Sequence, residues 1–341
     1  MLINTIQELR LYFPAHAMDD IASLAGFIDN SEHDFLIEKI GDELYSRLTE
    51  YYAKINPEEL AEAVRDTGSK LDYYAQLLLC CQRCIAFDAF SRAISVQAVS
   101  VSNMGVNVAT ADDYNKADKE SIDAFKATCV KEAHAAVNRL LVTLEKWTKQ
   151  DASLAQDAVL TQDESERREI VRYWRQSRYY FLAASLIIPS AQVLQDYLNI
   201  YDSREKFIQM LPDLRYIQEE KLEPLVGEDL LDFFVQLVID GTKEKLYCRV
   251  IDMMRKAMAA WLEERTSVLK VSTDRKHDAH DEAERHAKRL CEYIQQHQAE
   301  MPQAEMKLSP LYVRDEPAVC LCGKFENNRK GNVMFVTPGL N

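Results

Sequence analysis

The sequence predicts a mainly α fold built from two tandem, diverged helical-bundle modules, each with a small β-hairpin or β-type stretch, plus a C-terminal β-hairpin. Three observations carry this. Gly and Pro number nine each in 341 residues, well under the usual share of about 7% and 5%, so the many tight turns of an all-β fold cannot be supplied. Long stretches place apolar residues at three- and four-residue steps. The order of these stretches repeats.

Taken in order, residues 1–30 read as a short helical lead-in with Pro14 breaking an apolar stretch. Phe35 to Ala53 follows as an amphipathic helix carrying Leu36, Ile37, Ile40, Leu44, Tyr45 and Leu48. Gly41 lies inside that pattern, where it costs about 1 kcal/mol against Ala and points to close approach by another helix. Leu71 to Val96 is apolar nearly all round, the mark of a central helix. Val99–Val108 alternates around Asn103, Met104 and Gly105 and reads as a hairpin. Asp112 to Lys149 returns to helix.

The polar stretch 148–165 is the expected boundary, giving a first module over 1–150 and a second over 151–300. Within the second, helices are expected over Glu166–Ile188, Ala191–Ile200, Ile217–Ile239, Leu246–Val268 and Asp278–Gln298. Residues 301–341 are expected to form an extended linker, spaced by Pro302, Pro310 and Pro317, and a terminal hairpin over Val319–Val336.

The two halves match in four places, in the same order. Ile40-Gly41-Asp42-Glu43-Leu44 is paralleled by Val226-Gly227-Glu228-Asp229-Leu230, and Ala86-Phe87 by Ala260-Trp261. Val99–Ser102 is paralleled by Leu269–Ser272, and Arg139-Leu140 by Arg289-Leu290. Four ordered matches point to an internal duplication.

Arg204–Phe207, Leu211–Leu214, Ile217-Gln218, Leu225–Gly227 and Leu230-Leu231, with Ile40-Gly41 and Val101–Val106 in the first half, resemble an uncharacterised family from prophage-like elements of gut bacteria. The helical module is also similar to the head–tail connector (head-completion adaptor) proteins of tailed phages, small helical subunits that form a ring beneath the portal. The resemblance spans most of residues 30–300. It implies a structural role with self-oligomerisation and portal or tail proteins as partners. The double length and the expected C-terminal hairpin depart from simple connectors.

The net charge of −14 opposes whole-surface binding to nucleic acid, whose phosphates it repels. The N-terminus lacks the charged and apolar regions of a targeting signal. The longest apolar stretch, Tyr179–Pro189, is far short of the roughly 18–20 residues a bilayer requires. The expectation is a cytoplasmic protein with no membrane contact. Cys80, Cys81, Cys84, Cys129, Cys248 and Cys291 lie in helical sequence and read as reduced thiols.

Three clusters could carry chemistry. Arg168, Arg172 and Arg175 share one face of the helix beginning near Glu166. As a functional face they would dock an acidic protein, since guanidinium forks pair with carboxylates; DNA backbone is the less favoured partner, and a solvated basic face is the plain alternative. His277, His280 and His286 lie with Asp281 and Glu284 in a charge-rich helix. They offer partial metal-ligand spacing, but a solvated charged face explains them as well. Cys320 and Cys322 share a strand face without a second Cys pair to complete a zinc site. No phosphate-binding loop or nucleophile elbow is found. No catalytic residue, cofactor or metal is therefore assigned. The expected function is that of a non-enzymatic assembly protein, a phage or prophage head–tail connector subunit. The alternatives are a host-encoded helical interaction scaffold and a metal-binding enzyme using His277, His280 and His286.

Overall fold

The computed structural model describes residues 1–12, 21–65, 71–97, 99–102, 105–108, 119–153, 161–265 and 273–313. The fold is mainly helical. In chain order the helices are α1 (Ile6–Arg10), α2 (Ala25–Ser31), α3 (Ile37–Ile40), α4 (Asp42–Tyr52), α5 (Pro57–Arg65), α6 (Tyr73–Gln97) and α7 (Lys119–Ala152). There follow α8 (Gln162–Gln176), α9 (Ala191–Gln195), α10 (Arg204–Ile217), α11 (Glu223–Val226), α12 (Glu228–Asp240), α13 (Lys245–Arg265), α14 (Thr273–Gln296) and α15 (Gln303–Met306). Two four-residue strands, β1 (Val99–Ser102) and β2 (Gly105–Val108), pair antiparallel with Val99 opposite Val108. The expected β-type stretch Leu269–Ser272 and the terminal hairpin lie outside the described residues.

The chain divides into two compact units, Met1–Arg215 and a second beginning at Tyr216. The core of the first is α6 against α7. Leu77, Leu78, Cys81, Cys84, Ile85 and Ala86 of α6 are buried, as are Ala133, Val137, Leu140 and Leu144 of α7. The second unit repeats this pairing with α13 and α14. Val250, Ile251, Met254, Ala257, Met258 and Ala259 keep the spacing of the α6 set, and Ala283, Ala287, Leu290 and Ile294 that of the α7 set. In this burial pattern Ala86 corresponds to Ala259, one residue from the expected match with Ala260. The match of Leu140 with Leu290 keeps its place.

The recurrence extends to backbone detail. A π-helical turn over Glu32–Leu36 runs into α3, stops at Gly41 and restarts as α4. A π-helical turn over Gln218–Leu222 runs into α11, stops at Gly227 and restarts as α12. The glycines have φ +85° and +91°, and ψ 154° and 147°. Residues 41 and 227 are separated by 186 positions. Near the start of the chain Thr5 caps α1 through the Glu8 amide; Ser190, 185 positions on, caps α9 through the Val193 amide. Both helices are five residues long and each buries one leucine, Leu9 or Leu194.

Several sequence expectations differ from the fold. Phe35–Ala53 is broken at Gly41, and Ile217–Ile239 at Gly227, because both glycines leave helical backbone space. The expected helix Glu166–Ile188 starts earlier and ends at Gln176; Phe181, Ile187 and Ile188 are fully buried but not helical. Ala191–Ile200 is helical only to Gln195. The boundary of the first compact unit is at Arg215, not near 150, because α8 buries Ile170, Val171 and Trp174 and packs on α4, α6 and α7. The recurrence in turn restarts before α9. Residues 303–313 are not an extended linker: α15 forms there, Met306 and Leu311 are buried, and the Ser309 hydroxyl donates to the Val226 carbonyl.

Candidate interaction surfaces

Helix α8 begins with a capping box, in which Thr161 and Glu164 satisfy each other's backbone amides. The Thr161 amide and hydroxyl hold the Glu164 carboxyl below its usual range. The helix buries Ile170 and Trp174, and Trp174 meets Tyr180 and Phe181 edge-on at 4.9 and 5.6 Å. That packing turns the arginines outward, but not into one free stripe. Arg168 Nε donates to Asp151 Oδ1 at 3.0 Å, and Arg175 Nη2 lies 3.8 Å from the same carboxylate. Asp151 comes from the end of α7, so two of the three predicted arginines are engaged within the chain.

Arg172 differs. Its guanidinium lies over the Tyr173 ring at 4.8 Å, and it forms no ion pair among the described residues. Tyr173 also receives a hydrogen bond from Arg47 Nε of α4 at 3.2 Å. The basic face is thus centred on Tyr173 and includes Arg47, a residue the helical periodicity of α8 alone could not reveal. Beside it a cleft of about 380 Å³ is lined by Glu38, Asp42, Glu43, Tyr173, Ser177 and Arg178.

A second cleft of the first unit, about 500 Å³, is lined in part by Glu145, Lys146, Lys149, Asp202 and Arg204. Arg204 donates to Glu145 Oε2 through Nε and Nη2 at 3.2 and 3.1 Å, and through Nη1 to the Asp202 carbonyl. Both side chains of this pair are under a tenth exposed. Tyr201 and Asp202, at φ 58° and 53°, hold the adjoining turn in left-handed conformation.

Of the predicted histidines, His280 and His286 each face a different carboxylate: His280 Nδ1 lies 3.1 Å from Glu264 and His286 Nε2 lies 3.5 Å from Glu282. The side chain of His277 and residues Cys320 and Cys322 lie outside the described residues. Among the described residues no three metal-ligating side chains come together. Burial pushes the Cys81 and Cys84 thiols well up from their ordinary range, whereas Cys248 is exposed. Among the described residues no helix is long and apolar enough to cross a membrane.

Residues 36–151, from the first π-helical turn to the end of α7, match the model of a family described as a family of unknown function, DUF6712. No curated protein and no solved structure matches the chain.

Proposed function

We propose that this chain is a non-enzymatic assembly protein, a head–tail connector subunit of a phage or prophage, that acts by oligomerising through tandem copies of one helical module. The observation that supports this most is the recurrence of the π-turn, helix, glycine and helix series at a separation of 186 residues, followed each time by a pair of long packed helices. A duplicated scaffold multiplies docking surfaces, and repeat architectures are used that way. The conspicuous polar groups serve packing: the Glu145–Arg204 pair ties α7 to α10, and Glu8 and Glu32 accept hydrogen bonds from Tyr52 and Tyr45. Partners in this reading are further copies of the chain and portal or tail proteins.

The test is to induce the source cells, purify released particles and identify their proteins by mass spectrometry. The reading expects this chain at a fixed stoichiometry to portal protein. Its absence from particles, with the protein abundant in the cell lysate, contradicts the connector role and leaves a host scaffold. Elemental analysis addresses the enzyme alternative. About one zinc per purified chain would put a metal site at the histidine or terminal cysteine cluster ahead of the assembly reading.

A further inference from the structure

The two copies differ in what lies beside the helix that follows the glycine. In the first copy, Ser177 at the end of α8 meets Gly41; a Cβ built on Gly41 would stand 2.9 Å from Ser177 Cβ. The fifteen-residue α8 therefore flanks α4 and presents Arg172 and Tyr173 near Arg47. In the second copy Ser309 and Pro310 take the same place; a Cβ on Gly227 would stand 3.0 Å from Pro310 Cδ and 3.2 Å from Ser309 Cα. The helix preceding Ser309 is α15, only four residues long and without an arginine. Among the described residues the basic helix of the first copy has no counterpart in the second.

The first half of α12 presents carboxylates to solvent. Glu228, Asp229 and Asp232 are exposed, and none forms an ion pair among the described residues. Positions 228 and 232, and 229 and 232, share a face by helical spacing. The macrodipole favours carboxylates in a first turn, which accounts for Glu228 and Asp229. Asp232 lies beyond that turn. On the first copy, exposed Arg172 and Arg178 form no ion pair among the described residues, and Arg47 pairs with Glu50 and donates to the Tyr173 hydroxyl.

We propose that the acidic stripe Glu228, Asp229 and Asp232 of one chain docks on the Tyr173-centred face of a second copy of the same chain, formed by Arg47, Arg172 and Arg178. The occupant is argued from charge complementarity. Helix α12 has exposed carboxylates, and α15 beside it carries no arginine. On the first unit Arg172 and Arg178 form no ion pair among the described residues, next to a cleft that also holds Glu38, Asp42 and Glu43. Guanidinium and carboxylate pair as a planar fork. The two faces are different surfaces, so the contact is head-to-tail and closes into a ring or continues as a filament. The inference rests on the self-assembly reading above.

Two full-length double variants test it. Arg47→Glu with Arg172→Glu reverses one face; Glu228→Lys with Asp232→Lys reverses the other. Circular dichroism checks folding, and sedimentation velocity at low salt reads assembly. Each variant alone is expected to associate at least about tenfold more weakly than wild type, since like charges now oppose across the contact. A one-to-one mixture is expected to recover assembly, because the intact stripe of one meets the intact arginine face of the other and the two reversed faces, with acid and base exchanged, meet each other. Wild-type assembly by either variant alone, or a folded mixture that stays dissociated, overturns the proposal. Should a reversal variant misfold, Arg172→Gln and Asp232→Asn must each weaken assembly, and unchanged assembly of both overturns it. A wild-type chain that is itself monomeric overturns the self-assembly reading as well, whereas wild-type rings unaffected by every variant overturn only this contact.

Discussion

Gly41 and Gly227 combine φ near +90° with ψ near 150°, backbone open essentially to glycine alone. In both, a serine backbone or its neighbour packs where a Cβ would go. Gly227→Ala is expected to lower stability by about 1–3 kcal/mol through backbone strain alone, read as a lower urea midpoint at unchanged slope; an unchanged midpoint would show that the turn relaxes freely. The Glu145–Arg204 pair is a second residue-scale case. Without Arg204 the buried Glu145 keeps the Lys149 ammonium, 2.7 Å from its other oxygen. Arg204→Ala is therefore expected to destabilise, by less than the roughly 3–5 kcal/mol of a fully stranded buried charge. Adding Glu145→Leu to that variant should restore part of the loss. Strict additivity of the two substitutions would mean the charges do not depend on each other. Sequence marked Gly41 as a point of close approach, because a helix-weakening residue in an apolar pattern needs a reason. It could not show that the chain turns there, since the pattern of Leu36, Ile40 and Leu44 runs on across the break.

At the scale of elements, the long helices were the legible part. Tyr73–Gln97, Lys245–Arg265 and Thr273–Gln296 lie close to the segments expected from apolar spacing. Short elements were not: α9, α11 and α15 are five residues or fewer, too few to display a period, and Tyr179–Ile188 is apolar because it is buried rather than because it is helical. The arginine face was legible only in part, since periodicity shows which residues share a side of α8 but not that Asp151 of α7 waits beside two of them. Helix α6 carries a testable consequence of burial. Cys81 and Cys84 are fully buried with thiol pKa values pushed up, so few thiolates form and reagent has no access. In the native protein an alkylating reagent is expected to label Cys248 well before Cys81 and Cys84, which should react only on unfolding. Peptide mass spectrometry checks this; equal rates would mean that α6 opens readily.

The first copy contains a polar network built on two buried carboxylates, Glu8 and Glu32. Tyr52 donates to Glu8, Tyr45 to Glu32, and Gln82 Nε2 to Glu8, while the positions matching Glu8 and Glu32 are Val193 and Gln218. Burial first, and then the neighbouring carboxylates, raise Tyr45 and Tyr52 above the ordinary phenol value; Tyr12 is raised chiefly by burial. The folded state therefore holds phenol protons that the unfolded chain releases near pH 10. Their stabilising contribution is complete below that pH and is lost as pH rises through the higher folded values. Denaturant melts from pH 8 to 11 should show stability falling above about pH 10. Replacing Tyr45 and Tyr52 by Phe should flatten the fall, and an equal slope would remove the network from its cause.

Across the described residues the chain is mainly helical and repeats one series, π-turn, helix, glycine and helix, with a basic helix beside the first occurrence and exposed carboxylates on the second. Of the four short sequence matches, Gly41 with Gly227 and Leu140 with Leu290 keep their places in the recurrence, Ala86 is displaced by one residue and residues 269–272 lie outside the described residues. The expected boundary near 150 differs from the compact units because α8 packs on α4, α6 and α7 and belongs to the first. The central claim is that such a chain works by associating with itself. The most direct measurement is the native mass of the purified full-length chain across a series of salt concentrations. The account predicts a discrete multiple of the 39.2 kDa subunit mass at low salt, shifting toward monomer as ions screen the exposed charged faces. A monomer at every salt concentration and at high protein concentration would contradict it.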